Sequence, residues 1–488
     1  MTMRFCLILP ANPTPREVAR LRHVTGAMTE QIACVIGPDP QRLPDVGDLL
    51  GRYKIPLLHW PDAEKSDDAA TALRFDATIV LAETSPADLQ PLAVAKLGTW
   101  AFFEGDPRDS GATGVEQALA DGRPRVAMTV KRLNESPNGG DLLAFIDVPR
   151  RPWDNATVLR SRLDSYLPQM IGEASERATK TSKVEIELGR LDKGKSARSF
   201  QPLVERFKDT KFHTHVLFNK MAPFFAKNKS VIILLHNPAP DVLDSTLTIL
   251  RKIGPFIPYS RAVGDLIHGQ PATPGFTLTF DDGYKENMAL LDVLDRHECK
   301  AMFFLNTAII DKDSALWFMN PDKDFLAKKP FLRSLDYASF LAAANEEGLT
   351  QPSALRGRFG LRSKDVRTLL ARGQEIGVHT HNHPFLTRLT DDEIRKEVSE
   401  CWSRLRSISE DQTLPLHFAY PDGDHDERVV AVLKDMGAES AVTIRPGSIN
   451  SGTHRLKIPR YQLGDLDYPG LALLKLTRAY PAVQAIRR

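Results

Sequence analysis

The chain is 488 residues long with 42% hydrophobic and 26% charged residues, which predicts a soluble globular protein of two or three domains. A formal net charge of +2 excludes nucleic-acid binding by bulk electrostatics. Cys6, Cys34, Cys299 and Cys401 are widely scattered and form no CxxC pair, so they read as reduced core thiols of a cytosolic protein.

At the amino terminus, the apolar part of "MTMRFCLILPANPTPREVARLRH" is too short for a membrane span. It lacks the long apolar region of a signal peptide and fits a first strand. Nothing further along approaches a transmembrane helix, so the expected location is the cytoplasm. Through residues 1–150, "RFCLILP", "IACVIG", "DATIVLAE", "TWAFFEG" and "RVAMTVKRL" alternate with helix-like stretches. That rhythm predicts an α/β layer on a largely parallel, Rossmann-like sheet.

Residues 151–230 read as a helical and then basic linker region. From Arg177 to Lys229, thirteen Lys or Arg stand against five Asp or Glu. A solvated basic face explains this, and it also permits peripheral contact with anionic lipid or a phosphorylated substrate. His213 and His215 fall here without a carboxylate pattern.

Strands and helices alternate again over residues 231–470, in "SVIILLHN", "TLTFDDG", "AMFFLNTAI", "EIGVHTHNH", "HFAYPDG" and "SAVTI". Polar residues sit just past the strand ends, where active sites of parallel α/β folds gather, so a distorted (β/α) barrel is expected. Residues 311–370 lack strand rhythm and read as an insertion, and residues 471–488 as a tail.

"TFDDG" places Asp281 beside Asp282, where like charges oppose each other's ionisation unless a cation is near. In "HTHNH", His379 and His383 stand four apart, a spacing that on a helical turn puts both imidazoles on one face. Two imidazoles and one carboxylate make a three-ligand set with open positions for water and substrate. Asp282 would hold the ion and leave Asp281 as base, while Gly283 allows a sharp turn. "TDDE" reads as a capping box with Thr390 as N-cap, followed by an apolar face of Ile394, Val398, Cys401, Trp402 and Leu405. Asp422, Asp424, His425 and Asp426 crowd one loop and read first as an ordinary Asp-rich turn.

In order, "TFDDG" at 279–283, "HTHNH" at 379–383 and "FAYPDG" at 418–423 resemble the first three motifs of the NodB-like polysaccharide deacetylases of carbohydrate esterase family four. The resemblance covers residues 231–465. It implies a distorted barrel, a divalent ion that is commonly Zn²⁺, and hydrolysis of an N-acyl amide on an amino sugar. It further implies Asp281 as base, Asp282, His379 and His383 as ligands, and the backbone of Tyr420 as oxyanion donor. The family's Leu-His motif is missing near the carboxyl end. Leu235-His236 precedes the first motif instead, as in circularly permuted members, which implies His236 as general acid. Ala419 stands where the family carries an arginine, and Arg460 in "KIPRYQ" is the expected replacement partner of Asp281.

The first 150 residues resemble the formyltransferase fold through "LGTWAFFEGDPR", "GRPRVAMTVKRLNE" and "NGGDLLAFIDV". The family's Asn, His and Asp would fall at Ala101, Phe103 and Asn138, so a non-catalytic domain is expected. The expected activity is metal-dependent hydrolysis of an N-acetyl or N-formyl amino sugar, nucleotide-, oligosaccharide- or lipid-linked. The alternatives are a non-catalytic glycan-binding or scaffolding protein and a bifunctional formyltransferase and deacylase.

Overall fold

A computed structural model of the chain describes residues 3–10, 12–39, 44–59, 75–82, 95–105, 114–133, 140–150, 154–179, 229–319, 325–344 and 359–465, with 467, 472 and 476. The basic stretch with His213 and His215, Asn138, and most of the carboxyl-terminal tail lie outside the described residues. The chain divides into two compact units. Among the described residues no helix is long and apolar enough to cross a membrane.

The first unit holds a seven-stranded sheet in the order β3-β2-β1-β4-β5-β6-β7. Its strands are β1 (Phe5–Ile8), β2 (Ile32–Gly37), β3 (Leu57–His59), β4 (Ala77–Val80), β5 (Thr99–Glu104), β6 (Arg125–Leu133) and β7 (Gly140–Pro149). The first five pair in parallel, and β5-β6 and β6-β7 are antiparallel. Parallel strands are covered on both faces, which explains the unbroken apolar runs of β1 and β2. Helix α1 (Pro15–Met28) starts where Thr14 and Glu17 form a capping box before Pro15, and α2 (Pro44–Tyr53) and α3 (Val115–Ala120) follow.

Helices α4 (Ala156–Asp164) and α5 (Leu167–Thr179) correct the sequence reading at residues 151–230. They pack on β6, β7 and α1 instead of linking two domains, because Leu159, Leu163, Leu167, Met170, Ile171 and Ala174 make a continuous buried stripe. Ala101 and Phe103 belong to an apolar cluster with Cys6, Ile8, Cys34, Ile36 and Val80, so neither can carry a proton. All four cysteines are buried thiols.

The second unit's sheet runs β13-β12-β11-β10-β9-β8-β14. It comprises β8 (Ser230–Leu235), β9 (Gly275–Asp282), β10 (Met302–Leu305), β11 (Glu375–Val378), β12 (His417–Ala419), β13 (Ser440–Val442) and β14 (Tyr461–Gln462), all parallel. Connections run through α6 (Pro240–Arg251), α7 (Tyr259–Ile267), α8 (Leu291–Arg296), α9 (Phe325–Ser334), α10 (Tyr337–Ala344), α11 (Ser363–Ala371), α12 (Asp391–Ser409) and α13 (Glu427–Asp435). Helix α12 begins at the Thr390 capping box and buries Ile394, Val398, Cys401 and Leu405.

One short segment links both edges of this sheet. Ile458 donates to Ala441 and accepts from Thr443 beside β13, while Tyr461 and Gln462 pair with Ile233 and Leu234 of β8. The sheet is thereby curled toward a barrel, with Arg460 midway along the closing segment. Ile232, Phe304, Ala419 and Val442 fill the interior, whereas Leu235, Phe276, Leu278 and Phe280 face the helices. The expected insertion at 311–370 ends too late. Its last residues form α11, which leads into β11 and packs on that strand, so residues 363–370 belong to the barrel's own crossover.

Candidate metal and acid-base site

The site lies past the carboxyl ends of β8 to β12, which are level with one another: Leu305 of β10 pairs with Asp282 on one side and Val378 on the other, and Val378 pairs with Phe418. Along β9, Thr277, Thr279 and Asp281 alternate with Phe276, Leu278 and Phe280, so Asp281 turns into the barrel. Asp282 would then point outward. A left-handed backbone at Asp282 (φ 76°), followed by Gly283 (φ 75°), breaks the alternation and brings the second carboxylate round to the same mouth. A Cβ on Gly283 would stand 3.0 Å from Leu305 Cδ2, so glycine serves both the turn and the packing.

His379 and His383 come together by another route than the helical turn expected from their spacing. Residues 379–383 form a loop in which Thr380 (φ 67°) and His383 (φ 56°) are left-handed. Thr380 Oγ1 accepts from the His383 N–H at 3.1 Å, closing the loop on itself. His379 Nδ1 donates to the Ala419 carbonyl at 2.8 Å, which fixes the ring and leaves Nε2 facing the carboxylates. His381 points away, against Thr307 Oγ1.

His379 Nε2 and His383 Nε2 stand 3.4 and 3.6 Å from Asp282 Oδ1, and all three donors lie within 4.8 Å of one another. Those gaps are long for hydrogen bonds but close to the edge of roughly 3.3 Å that four donors make around an ion at about 2.0–2.1 Å. His383 Nδ1 is buried without a hydrogen-bond partner among the described residues, so no hydrogen bond fixes this ring as the Ala419 carbonyl fixes His379. The three side chains fit a divalent ion. Burial and the neighbouring His379 push His383 down to about 3, keeping it in the neutral form a ligand needs. Against its own burial, Asp282 is held at about 2, chiefly by the adjacent His379 side chain. His379 is raised: burial opposes its charge, but Asp281 and Asp282 outweigh burial.

Asp281 is 3% exposed and meets Arg460, which is 0% exposed, in a two-pronged pair of 2.8 and 2.7 Å. The guanidinium is itself held by Thr279 Oγ1 and the Thr443 carbonyl. Asp281 Oδ2 lies 3.9 Å from His379 Nε2. His236 is one residue past the Leu235 and Phe280 pair, at the height of Asp281, and its carbonyl accepts from Asn287.

Asp465, not singled out from the sequence, approaches from the segment after β14. It accepts from the Asn237 N–H at 2.9 Å, and burial raises it against the opposing influence of His236. Its only sequence signal is a run of acids, "GDLD", with no partner in view.

Tyr420 corrects an expectation. Its backbone N–H donates to the Val442 carbonyl at 3.2 Å, because pairing of β12 with β13 continues one residue beyond the strand, and its hydroxyl donates to Leu456. That N–H is spoken for. The Asp-rich loop is structural: Asp422 pairs with Lys329, Asp424 with Arg333 and Thr387, and Asp426 caps α13. His425 stacks on Tyr420. Trp317 and Phe318, from the described part of the insertion, pack against His383 and form a wall of the site.

Residues 268–441 match the family model for polysaccharide deacetylase. The matched stretch contains Asp281, Asp282, His379 and His383, while His236, Arg460 and Asp465 flank it on either side. The chain is 36% identical to chitin deacetylase 1 of Saccharomyces cerevisiae over 69 residues, which is 14% of this chain and only 22% of that relative's length. The deacetylase PplD of Streptococcus pyogenes, solved with acetate, aligns at 17% identity over 51% of this chain and 98% of its own, with a TM-score of 0.38. Phosphoribosylglycinamide formyltransferase of Anaplasma phagocytophilum aligns at 17% identity over 36% and 89%, with a TM-score of 0.29.

Proposed function

We propose that the second unit hydrolyses the N-acyl amide of an amino sugar, acetyl or formyl, with a divalent ion, Zn²⁺ by preference. The observation that carries this reading is the meeting of Asp282, His379 and His383 at one point with Asp281 left over, inside a deacetylase family match. When bound there, the ion would polarise the amide carbonyl, carry its developing charge and acidify water.

On this reading Asp281 takes the proton of the attacking water. Arg460 holds that carboxylate with both oxygens directed, so the base needs no reorganisation as the proton arrives. Across the mouth, His236 gives a proton to the departing amine. Asp465, half-buried, lies beside it and accepts from the Asn237 N–H of the next residue. The released acid and the free amino sugar are the products. A sugar amine attached to a nucleotide, an oligosaccharide or a lipid carrier would each present the same amide.

The test is a pair of variants assayed on a panel of N-acetyl and N-formyl sugars, reading released acetate or formate. Asp282→Ala is expected to lose both the ion and turnover. Asp281→Asn is expected to keep the ion, seen by elemental analysis, while kcat falls by about 10²–10⁴. Turnover within a few-fold of wild type in Asp281→Asn removes Asp281 as the base.

A further inference from the structure

Glu397 is a buried acid for which neither the fold nor the proposed chemistry has an evident use. It lies within α12, 0% exposed, between the apolar residues Ile394, Val398 and Cys401. An apolar side chain there would bury without penalty, whereas an ionised carboxylate costs several kcal/mol by order of magnitude unless every oxygen is matched. No cation pairs with it among the described residues. Its partners are four hydrogen-bond donors. Oε2 accepts the backbone N–H of His381 and of Asn382, each at 2.8 Å, and Oε1 accepts Asn382 Nδ2 at 2.8 Å together with the hydroxyl of Tyr337.

Three of the four donors belong to His381 and Asn382, two of the three residues between His379 and His383. Those residues connect two left-handed positions, Thr380 and His383, that non-glycine residues adopt only under constraint. The fourth donor comes from α10, in the stretch between β10 and β11, whose Phe340 also packs edge-on against Phe385 just past His383. A single carboxylate thus ties the ligand loop to α12 below it and to α10 beside it.

We propose that Glu397 is a positioning residue that sets the spacing of the two imidazole ligands, and that Tyr337 couples α10 to that spacing. The inference rests on the metal reading of the site. Its physical basis is that supporting hydrogen bonds fix ligands before the ion arrives, and their loss commonly costs 10–100-fold in affinity. Because the coupling is a binding free energy, it is reciprocal: the ion must protect α10 as much as α10 supports the ion.

The experiment uses the full chain with Zn²⁺ and Co²⁺. Zn²⁺ affinity is measured by competition with a chromogenic chelator, the Co²⁺ ligand-field spectrum is recorded, and thermal melting is followed without metal. Glu397→Gln is expected to weaken Zn²⁺ binding by about 10–100-fold and to shift the Co²⁺ spectrum. Tyr337→Phe, which keeps the ring and its packing, is expected to weaken binding several-fold and to leave melting of the metal-free protein within a few degrees. His383→Ala serves as the control for the site itself. If His383→Ala loses metal but both Glu397→Gln and Tyr337→Phe bind it with wild-type affinity, the positioning role is overturned while the site stands. If His383→Ala binds as wild type, the metal reading fails first. Should Glu397→Gln not fold, Tyr337→Phe alone decides.

Discussion

At the residue scale the site depends on carboxylates being given unequal surroundings. Asp282 faces imidazoles and Asp281 faces a guanidinium, although the two are neighbours in sequence. The left-handed turn at Asp282 makes that separation available, and without it one carboxylate would face the helices. Arg460 is the most exacting of these side chains, since it is wholly buried and uses its planar fork on Asp281 while reaching Thr279 and Thr443. Lysine cannot reproduce that pattern, having one rotatable ammonium in place of a fixed fork. Arg460→Lys is therefore expected to lower kcat by tenfold or more with metal content unchanged. Arg460→Met strands a buried carboxylate and is expected to destabilise the second unit by about 3–5 kcal/mol. Paired measurements of kcat and of denaturant midpoint separate the two effects. Wild-type kcat in Arg460→Lys would show that the two-pronged geometry does not matter.

At the element scale, the ligand loop is fixed by the strands it leaves. Gly377 of β11, two residues before His379, lies against the ring of Phe304: a Cβ there would sit 2.6 Å from Phe304 Cδ1 and 3.1 Å from the His417 carbonyl. Gly377→Ala is expected to cost about 1–3 kcal/mol by overpacking and to weaken metal binding together with it, as read from a melting curve and a metal titration on one sample. A variant as stable as wild type would mean β11 is free to shift. The strands were legible because β8, β9 and β10 are short apolar runs ended by polar residues, and α12 was legible from its capping box and stripe. The four central side chains were legible because two local motifs carry them. Other features were hidden for separate physical reasons. Spacing of four fits a helical turn and a constrained loop equally, so "HTHNH" did not disclose its two left-handed residues. Glu397 looks like any acid on an amphipathic helix. Asp465 and the role of β14 depend on closure of the sheet by a segment more than two hundred residues from β8, and no local pattern encodes that. The Tyr420 N–H was lost to a ladder running one residue past its strand.

At the scale of the whole molecule, all the proposed ligands and proton carriers belong to one of the two compact units, and the sheet of the first unit contributes none. Ligand binding stabilises only the cooperative unit that contains the site, by RT ln(1 + [L]/Kd), which is about 2.7 kcal/mol at a hundred times Kd. For a unit of this size each kcal/mol raises the melting temperature by roughly 2–4 °C. Calorimetry of the full chain is accordingly expected to resolve two transitions. Zn²⁺ at a hundredfold excess over Kd should move one of them up by roughly 5–10 °C and the other by less than about 1 °C. Asp282→Ala should abolish the shift and leave the insensitive transition where it was, because that aspartate belongs to the second unit. The buried histidines add a direction in pH. His383 and His417, pushed down to about 3 and about 4 by burial, bind protons in the unfolded chain before they do in the folded one. Their contribution to stability is therefore present above about 6.5 and is lost as pH falls toward those values. Both lie in the second unit, so the zinc-sensitive transition should move down as pH is lowered from about 6.5. A single transition that moves as a whole with zinc would show that the two units unfold as one, and the ion's influence would then extend to the sheet of the first unit.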